Sequence, residues 1–115
     1  MRLSSGLGAA RPLVLCVLAA AGAAAHAQVN DATYEAGKAL FLKATPACAI
    51  CHTLKDAGAE GAIGPVLDEL RPDAARVAKA LRDGLGSMPS YRATLSEAQI
   101  AALARYVAKA SNGAP

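Results

Sequence analysis

Two cysteines and a histidine lie within five consecutive residues, Cys48-Ala-Ile-Cys51-His52. On a helical turn, residues three and four apart project from nearly the same side, so both sulfur atoms and the imidazole can reach one planar group. C-x-x-C-H is the attachment signature of c-type haem, in which two thiols add to the two vinyl groups of the porphyrin and the histidine ligates the iron. The motif therefore predicts one covalently bound haem c, held through Cys48, Cys51 and His52.

Three other interpretations of the motif remain open. A structural zinc site needs four ligands, and the motif offers three. A thioredoxin-like redox pair is expected at the start of a helix in a β-α-β arrangement. A disulfide between Cys48 and Cys51 would close a very small loop and leave His52 without a role.

The first 27 residues have the three-part pattern of a secretory signal peptide. They carry two arginines and no acidic residue, an uninterrupted small and apolar run over 13–25, and a small-x-small site at Ala25-His26-Ala27. We expect cleavage after Ala27 and export to the periplasm, because haem is attached to c-type proteins after export. The alternative is an uncleaved membrane anchor, since the uncharged span 12–30 is marginally long enough to cross a bilayer.

The remaining 88 residues, 28–115, are enough for a single small domain. They hold nine acidic and ten basic residues, so a net charge of +1 gives no reason to expect a nucleic-acid partner. Only 18 residues are Val, Leu, Ile, Phe or Met, beside 21 alanines. A domain this small often needs a metal or cofactor to complete its core, and a haem would supply that apolar centre.

The apolar spacing predicts an all-α domain with long loops and no convincing strand. Ser96 and Gln99 form a capping box at the start of the last helix. The expected helices run from a cap at Asp31 to about Ala44, over 65–70 as a short turn, from Pro72 to Asp83 with Gly84 as the stop, and from Ser96 to Asn112-Gly113. Residues 56–64 and 84–91 are expected to be loops.

A sixth iron ligand follows by elimination. His52 is the only histidine beyond residue 27, so two histidines of one chain cannot ligate the iron. Met88 is the only methionine there, and it lies in a loop 36 residues beyond His52, far enough to reach the opposite haem face. A neutral thioether favours ferrous iron and raises the reduction potential. The alternative is that Met88 is an ordinary core side chain.

Three motifs occur along the chain in the order Cys48-Ala-Ile-Cys51-His52, Gly64-Pro65-x-Leu67 and Met88-Pro89-x-Tyr91. In this order they resemble the small class I cytochromes c. The resemblance implies a fold in which the N- and C-terminal helices cross, and in which helices and long loops enclose the haem. It implies that the carbonyl of Pro65, beside Gly64, accepts a hydrogen bond from the ligating imidazole; an ordinary turn at Gly64-Pro65 is the alternative. Tyr91 is expected either to contact a haem propionate or to lie exposed on its loop.

Three further residues, Gly37, Phe41 and Tyr106, resemble the contact between the terminal helices of that family. Residues 45–70 and 87–107 are similar to the monohaem cytochromes that serve periplasmic sulfite dehydrogenases. The resemblance implies a one-electron carrier rather than an enzyme. It would accept electrons from a dehydrogenase, such as a molybdenum sulfite dehydrogenase, through a transient contact or a lasting complex, and pass them to a respiratory chain. If Met88 does not ligate, the alternative is a five-coordinate haem protein with ligand-binding or peroxidase-like activity.

Overall fold

The computed structural model of the chain describes Gly6, Gly8 and residues 20–115, with side chains described from residue 30 onward. Most of the predicted signal peptide lies outside the described residues. Within the described part of the chain, no helix combines the length and the apolar character that a membrane span requires. The elements are α1 (Ala20–Lys43), α2 (Cys48–Cys51), β1 (Thr53–Leu54), a 3-10 helix (Lys55–Ala57), β2 (Ala59–Glu60), α3 (Leu67–Leu70), α4 (Ala74–Asp83) and α5 (Glu97–Ala110).

The first helix begins earlier than the sequence predicts. Asp31 is expected to be an N-cap, but α1 begins at Ala20 and carries Asp31 in its interior. The prediction is wrong because the residues before Asp31 are mostly alanine, the strongest helix former, so the helix continues toward the N-terminus. The other end of α1 agrees closely with the sequence, since the helix ends at Lys43 instead of Ala44.

Capping side chains set the starts of α4 and α5. The carboxylate of Asp73 accepts a hydrogen bond from the backbone N–H of Arg76 over 2.7 Å. The predicted start at Pro72 is therefore wrong by two residues, because Asp73 is the N-cap and Pro72 lies one residue before it. At α5 the Ser96 hydroxyl accepts from the Gln99 N–H and the Gln99 side chain accepts from the Ser96 N–H, at 3.1 and 2.9 Å. The predicted capping box is confirmed.

The segment 56–64 is more ordered than the predicted loop. β1 and β2 form an antiparallel pair with the 3-10 helix between them. Gly58 takes a φ of 61°, a left-handed conformation that glycine adopts without strain, and reverses the chain direction. The prediction of no strand is wrong because two residues per strand are too few to produce an alternating pattern in the sequence. The short turn predicted over 65–70 is α3.

The terminal helices α1 and α5 cross in close contact at Gly37. A Cβ atom on Gly37 would lie 2.5 Å from the carbonyl oxygen of Ala102 and 2.5 Å from the Cβ of Tyr106. Phe41 and Tyr106 are 1% and 0% exposed, and their rings pack edge to face with centroids 5.9 Å apart. The predicted crossing at Gly37, Phe41 and Tyr106 is confirmed. The predicted inward face of α5 is also buried, namely Ile100, Leu103, Ala104 and Val107.

Removal of the Phe41 ring should destabilise the fold strongly. Phe41→Ala is expected to lower the free energy of unfolding by about 3–5 kcal/mol, because a fully buried ring would leave a cavity at the helix crossing. Denaturant titration of the haem-loaded protein measures this change. A loss below about half a kcal/mol would mean that the ring contributes little to packing.

A carboxylate joins the 3-10 helix to both terminal helices. The Tyr106 hydroxyl donates to Asp56 over 2.8 Å, and the Lys38 ammonium lies 3.3 Å from the same oxygen. Burial alone would raise the pKa of Asp56, but hydrogen bonds from Tyr106, Tyr34 and Lys38 outweigh it and lower that pKa. The segment that directly follows the cysteine motif is thereby fixed to α1 and α5.

The Asp56 cluster should make stability depend on pH. Because the pKa of Asp56 is lowered in the folded protein, the ionised carboxylate adds stability above its ordinary pKa, and this stability is lost as the pH falls through the folded value. Asp56→Asn is expected to cost about 1 kcal/mol at neutral pH, the difference between a charged and a neutral acceptor. The gap between wild type and variant, measured by denaturant titration, should close under acid conditions. Glu69→Gln, at an exposed carboxylate of α3, serves as the control, and a gap that did not change with pH would contradict this account.

Candidate haem-binding site

The cysteine motif forms a single helical turn, as the sequence predicts. α2 spans Cys48–Cys51, and the His52 N–H closes the turn by donating to the Cys48 carbonyl over 2.9 Å. Cys48 is buried, whereas Cys51 and His52 are half-buried. His52 itself has extended backbone geometry, with φ −114° and ψ 139°. The two thiols and the imidazole nevertheless border one cavity.

Two glycines let the chain pass directly against this turn. A Cβ on Gly61 would lie 2.6 Å from both the carbonyl carbon of Cys51 and the nitrogen of His52. A Cβ on Gly64 would lie 2.5 Å from Cε1 of the His52 ring, and the Gly64 N–H donates to the Cys51 carbonyl over 2.6 Å. The sequence treats Gly61 only as a loop residue and misses its role. No local pattern in the sequence distinguishes Gly61 from the other glycines of this segment, because its role depends on the approach of α2.

A backbone carbonyl orients the imidazole. Nδ1 of His52 lies 2.8 Å from the carbonyl oxygen of Pro65. A carbonyl can only accept a hydrogen bond, so Nδ1 carries a proton and Nε2 is the nitrogen left to ligate a metal. This is the arrangement by which proteins fix the tautomer of a metal-ligating histidine. The hydrogen bond implied by the resemblance is present, and Gly64-Pro65 is more than an ordinary turn.

Met88 approaches the same cavity from a loop after α4. Gly84 ends α4 with a φ of 72°. Backbone hydrogen bonds of 3.0 and 2.9 Å join Leu85 and Met88 in both directions and close a tight turn. The Met88 side chain is half-buried, contacts the hydrophobic core and borders the cavity.

Tyr91 belongs to the interior. It is 4% exposed, and its hydroxyl donates to the carbonyl of Pro46 over 2.6 Å. The expectation of an exposed loop tyrosine is therefore wrong, because a carbonyl 45 residues earlier in the chain satisfies the hydroxyl and allows the ring to be buried. Burial also raises the pKa of Tyr91 to about 12, so the hydroxyl remains a donor. Tyr91 borders the cavity, and its contact with a propionate stays a prediction.

One cavity of about 600 Å³ collects every site residue that the sequence predicts. These residues are Cys48, Cys51, His52, Gly64, Pro65, Met88 and Tyr91. Much of the remaining wall is apolar core, including Phe41, Leu67, Leu81, Leu103 and Val107. The volume lies in the range of about 300–1,000 Å³ that is typical of cofactor sites.

The chemistry of the cavity fits a haem better than the alternative sites. Among the described residues, no group of three or more His, Cys, Asp or Glu side chains could hold a metal ion, so they offer no four-ligand zinc site. Cys48 and Cys51 are free thiols. Burial raises the pKa of Cys48 to about 11, the opposite of the lowered pKa expected of a redox-active thiol pair. Two thiols, an imidazole with a free Nε2 and a soft thioether on apolar walls match the requirements of haem c.

Comparisons with known proteins identify the family of this chain. Residues 32–107 match the family model described as cytochrome c oxidase, cbb3-type, subunit III. The chain belongs to the cytochrome c family. The crystal structure of the c-type cytochrome SorU from Sinorhizobium meliloti is 44% identical, covers 73% of this chain and 97% of that chain, and superposes with a TM-score of 0.69. The search of curated proteins found no match.

Family membership settles the general character of the molecule. The described residues form five α-helices and one 3-10 helix, an architecture consistent with a class I cytochrome c fold. A member of this family carries covalently bound haem c and transfers electrons, and it is not itself an enzyme. The cavity beside α2 is the one place in the described structure where thiols, imidazole and thioether meet.

Proposed function

We propose that this cytochrome is a one-electron carrier of the periplasm, with a single haem attached through Cys48 and Cys51 and ligated by His52 and Met88. The observation that carries the proposal is the shared cavity, in which an imidazole of fixed tautomer and the thioether border the same space as both thiols. The haem supplies the redox-active iron. His52 and Met88 would hold that iron, and Cys48 and Cys51 would attach the haem covalently.

His52 and Met88 would suit an iron that transfers electrons without binding a substrate. The Pro65 carbonyl holds the His52 ring and increases the basicity of Nε2. Met88 offers a neutral sulfur, which favours the ferrous state. If His52 and Met88 both held the iron, the chain would leave no coordination site open to a substrate.

Two side chains at the cavity suggest where a redox partner docks. Ile63 and Leu85 border the cavity and are 74% and 72% exposed. Apolar side chains at an opening favour a small, short-lived contact in which the partner covers them. The net charge of +1 over residues 28–115 gives little long-range steering, so this contact should depend weakly on salt.

The electron donor we propose is a periplasmic dehydrogenase, and more specifically a molybdenum sulfite dehydrogenase. The similarity of residues 45–70 and 87–107 to cytochromes that serve such enzymes supports it. Stopped-flow mixing with a sulfite dehydrogenase and sulfite should reduce the haem, and Ile63→Glu should slow the second-order rate. Glu60→Gln, an exposed position of β2, is the control. No reduction by the enzyme with sulfite present would refute this donor.

Intact mass of the purified protein tests the proposed site directly. Expression with haem-attachment machinery in a periplasm should give the mass of residues 28–115 plus one haem. The oxidised protein should also show the far-red sulfur-to-iron charge-transfer band of His/Met haem. A bare polypeptide would refute covalent attachment, and a retained leader would refute cleavage after Ala27. A holo-protein without the band would refute ligation by Met88.

A further inference from the structure

The loop that carries Met88 returns to the end of the helix from which it started. The last carbonyls of any α-helix lack partners within the helix. In α4 the Leu81 carbonyl accepts from the backbone N–H of Tyr91 over 2.7 Å, and the Arg82 carbonyl accepts from the Ser90 hydroxyl. The residues that follow Met88 therefore cap the helix that precedes it.

Arg92 adds contacts to the same helix end. Its Nε lies 3.4 Å from the Arg82 carbonyl, and its Nη2 donates to the Asp83 carboxylate over 3.1 Å. The backbone N–H of Arg92 also donates to the Ser90 hydroxyl at 3.2 Å. The side chain of Arg82 is held in turn by Glu97 of α5, at 2.8 Å. Ser90, Arg92 and the end of α4 thus form one connected group, which we name the α4 clamp.

Few side chains between the ends of the loop contact the rest of the protein. The side chains of Leu85, Ser87, Pro89 and Ser90 are all exposed, and Met88 is half-buried. A Cβ on Gly84 would lie 2.8 Å from the Met88 carbonyl oxygen, so the backbone at the start of the loop lies directly against the backbone of Met88. The position of the Met88 sulfur therefore depends on its own core contacts, on the tight turn within the loop, on the buried Tyr91 and on the α4 clamp.

We propose that Ser90 and Arg92 are positioning residues, which clamp the loop to the last turn of α4 and so keep the Met88 thioether on the haem iron. The inference rests on the ligation by Met88 proposed above. A neutral thioether binds only while the loop presents it, so an opened loop leaves the iron accessible to an external ligand. The clamp sets how often that opening occurs.

The rate at which carbon monoxide binds the ferrous haem reports how often the loop opens. Ser90→Ala and Arg92→Gln, each in the haem-loaded protein, should bind carbon monoxide to the ferrous iron faster than wild type. For Ser90→Ala we expect a rate increase of roughly three- to tenfold, the population shift produced by the loss of one net hydrogen bond. The far-red charge-transfer band of the oxidised protein should weaken in both variants. Ser90→Thr, which keeps the hydroxyl, should restore wild-type behaviour.

Two matched controls separate positioning from general stability. Ser96→Ala removes a serine–backbone hydrogen bond at the start of α5 without touching the loop, and Arg105→Gln removes an exposed arginine of α5. Both should leave the band and the carbon monoxide rate at wild-type values, even where thermal stability falls. If Ser90→Ala and Arg92→Gln match these controls while wild type shows the band, the clamp is refuted and ligation by Met88 stands. A wild-type protein without the band that binds carbon monoxide at once would overturn both.

Discussion

Met88→Ala is expected to lower the reduction potential of the haem and to let carbon monoxide or peroxide bind the iron. The structure places this side chain on the cavity that also holds His52, and no other methionine or histidine lies within residues 53–115. Loss of the thioether would leave that coordination position open to water or another ligand. We expect a fall on the order of 0.1 V or more, because axial ligands set haem potentials over a span of about 0.8 V. Potentiometric titration and carbon monoxide difference spectra measure the two effects.

Two further substitutions at the same position isolate the role of sulfur. Met88→Leu keeps the volume and removes the sulfur, so it should behave like Met88→Ala if coordination decides the potential. Met88→His should give a haem with two nitrogen ligands, which has a low potential and excludes carbon monoxide. A wild-type protein that already binds carbon monoxide readily, with a potential that Met88→Ala leaves unchanged, would favour the five-coordinate alternative instead.

Local signals in the sequence predicted much of this site. Gly84 stops α4, and Ser96 with Gln99 starts α5, because each signal acts within one helical turn. The C-x-x-C-H motif and the lone Met88 are likewise recognised from the sequence alone, because residue type and spacing are enough to mark them as candidate haem-binding residues. Those residues now border one cavity.

Contacts between distant residues could not be predicted in this way. The hydroxyl of Tyr91 meets the carbonyl of Pro46, and the hydroxyl of Tyr106 meets Asp56, across 45 and 50 residues. Such hydrogen bonds leave no periodic trace in the sequence, so the burial of Tyr91 was missed. The close approach of Gly61 to α2 depends equally on a neighbour that only the folded chain supplies.

Removal of both thiols should unfold most of the protein. In Cys48→Ser with Cys51→Ser the haem has no covalent attachment, and the cavity of about 600 Å³ loses the group that fills it. Apolar walls would then face a void or water. The apolar contacts between these walls and the haem are lost, and the whole stability of a small domain is only about 5–15 kcal/mol.

Circular dichroism in the far ultraviolet should therefore show the loss of most of the helical signal in the double variant. Core residues such as Phe41, Leu81 and Leu103 are shared between the helix contacts and the cavity wall, so the helices lose their common surface when the cofactor is absent. Full helicity in the double variant would mean that α1, α4 and α5 pack without the haem, and that the small apolar content of this chain suffices for a stable core.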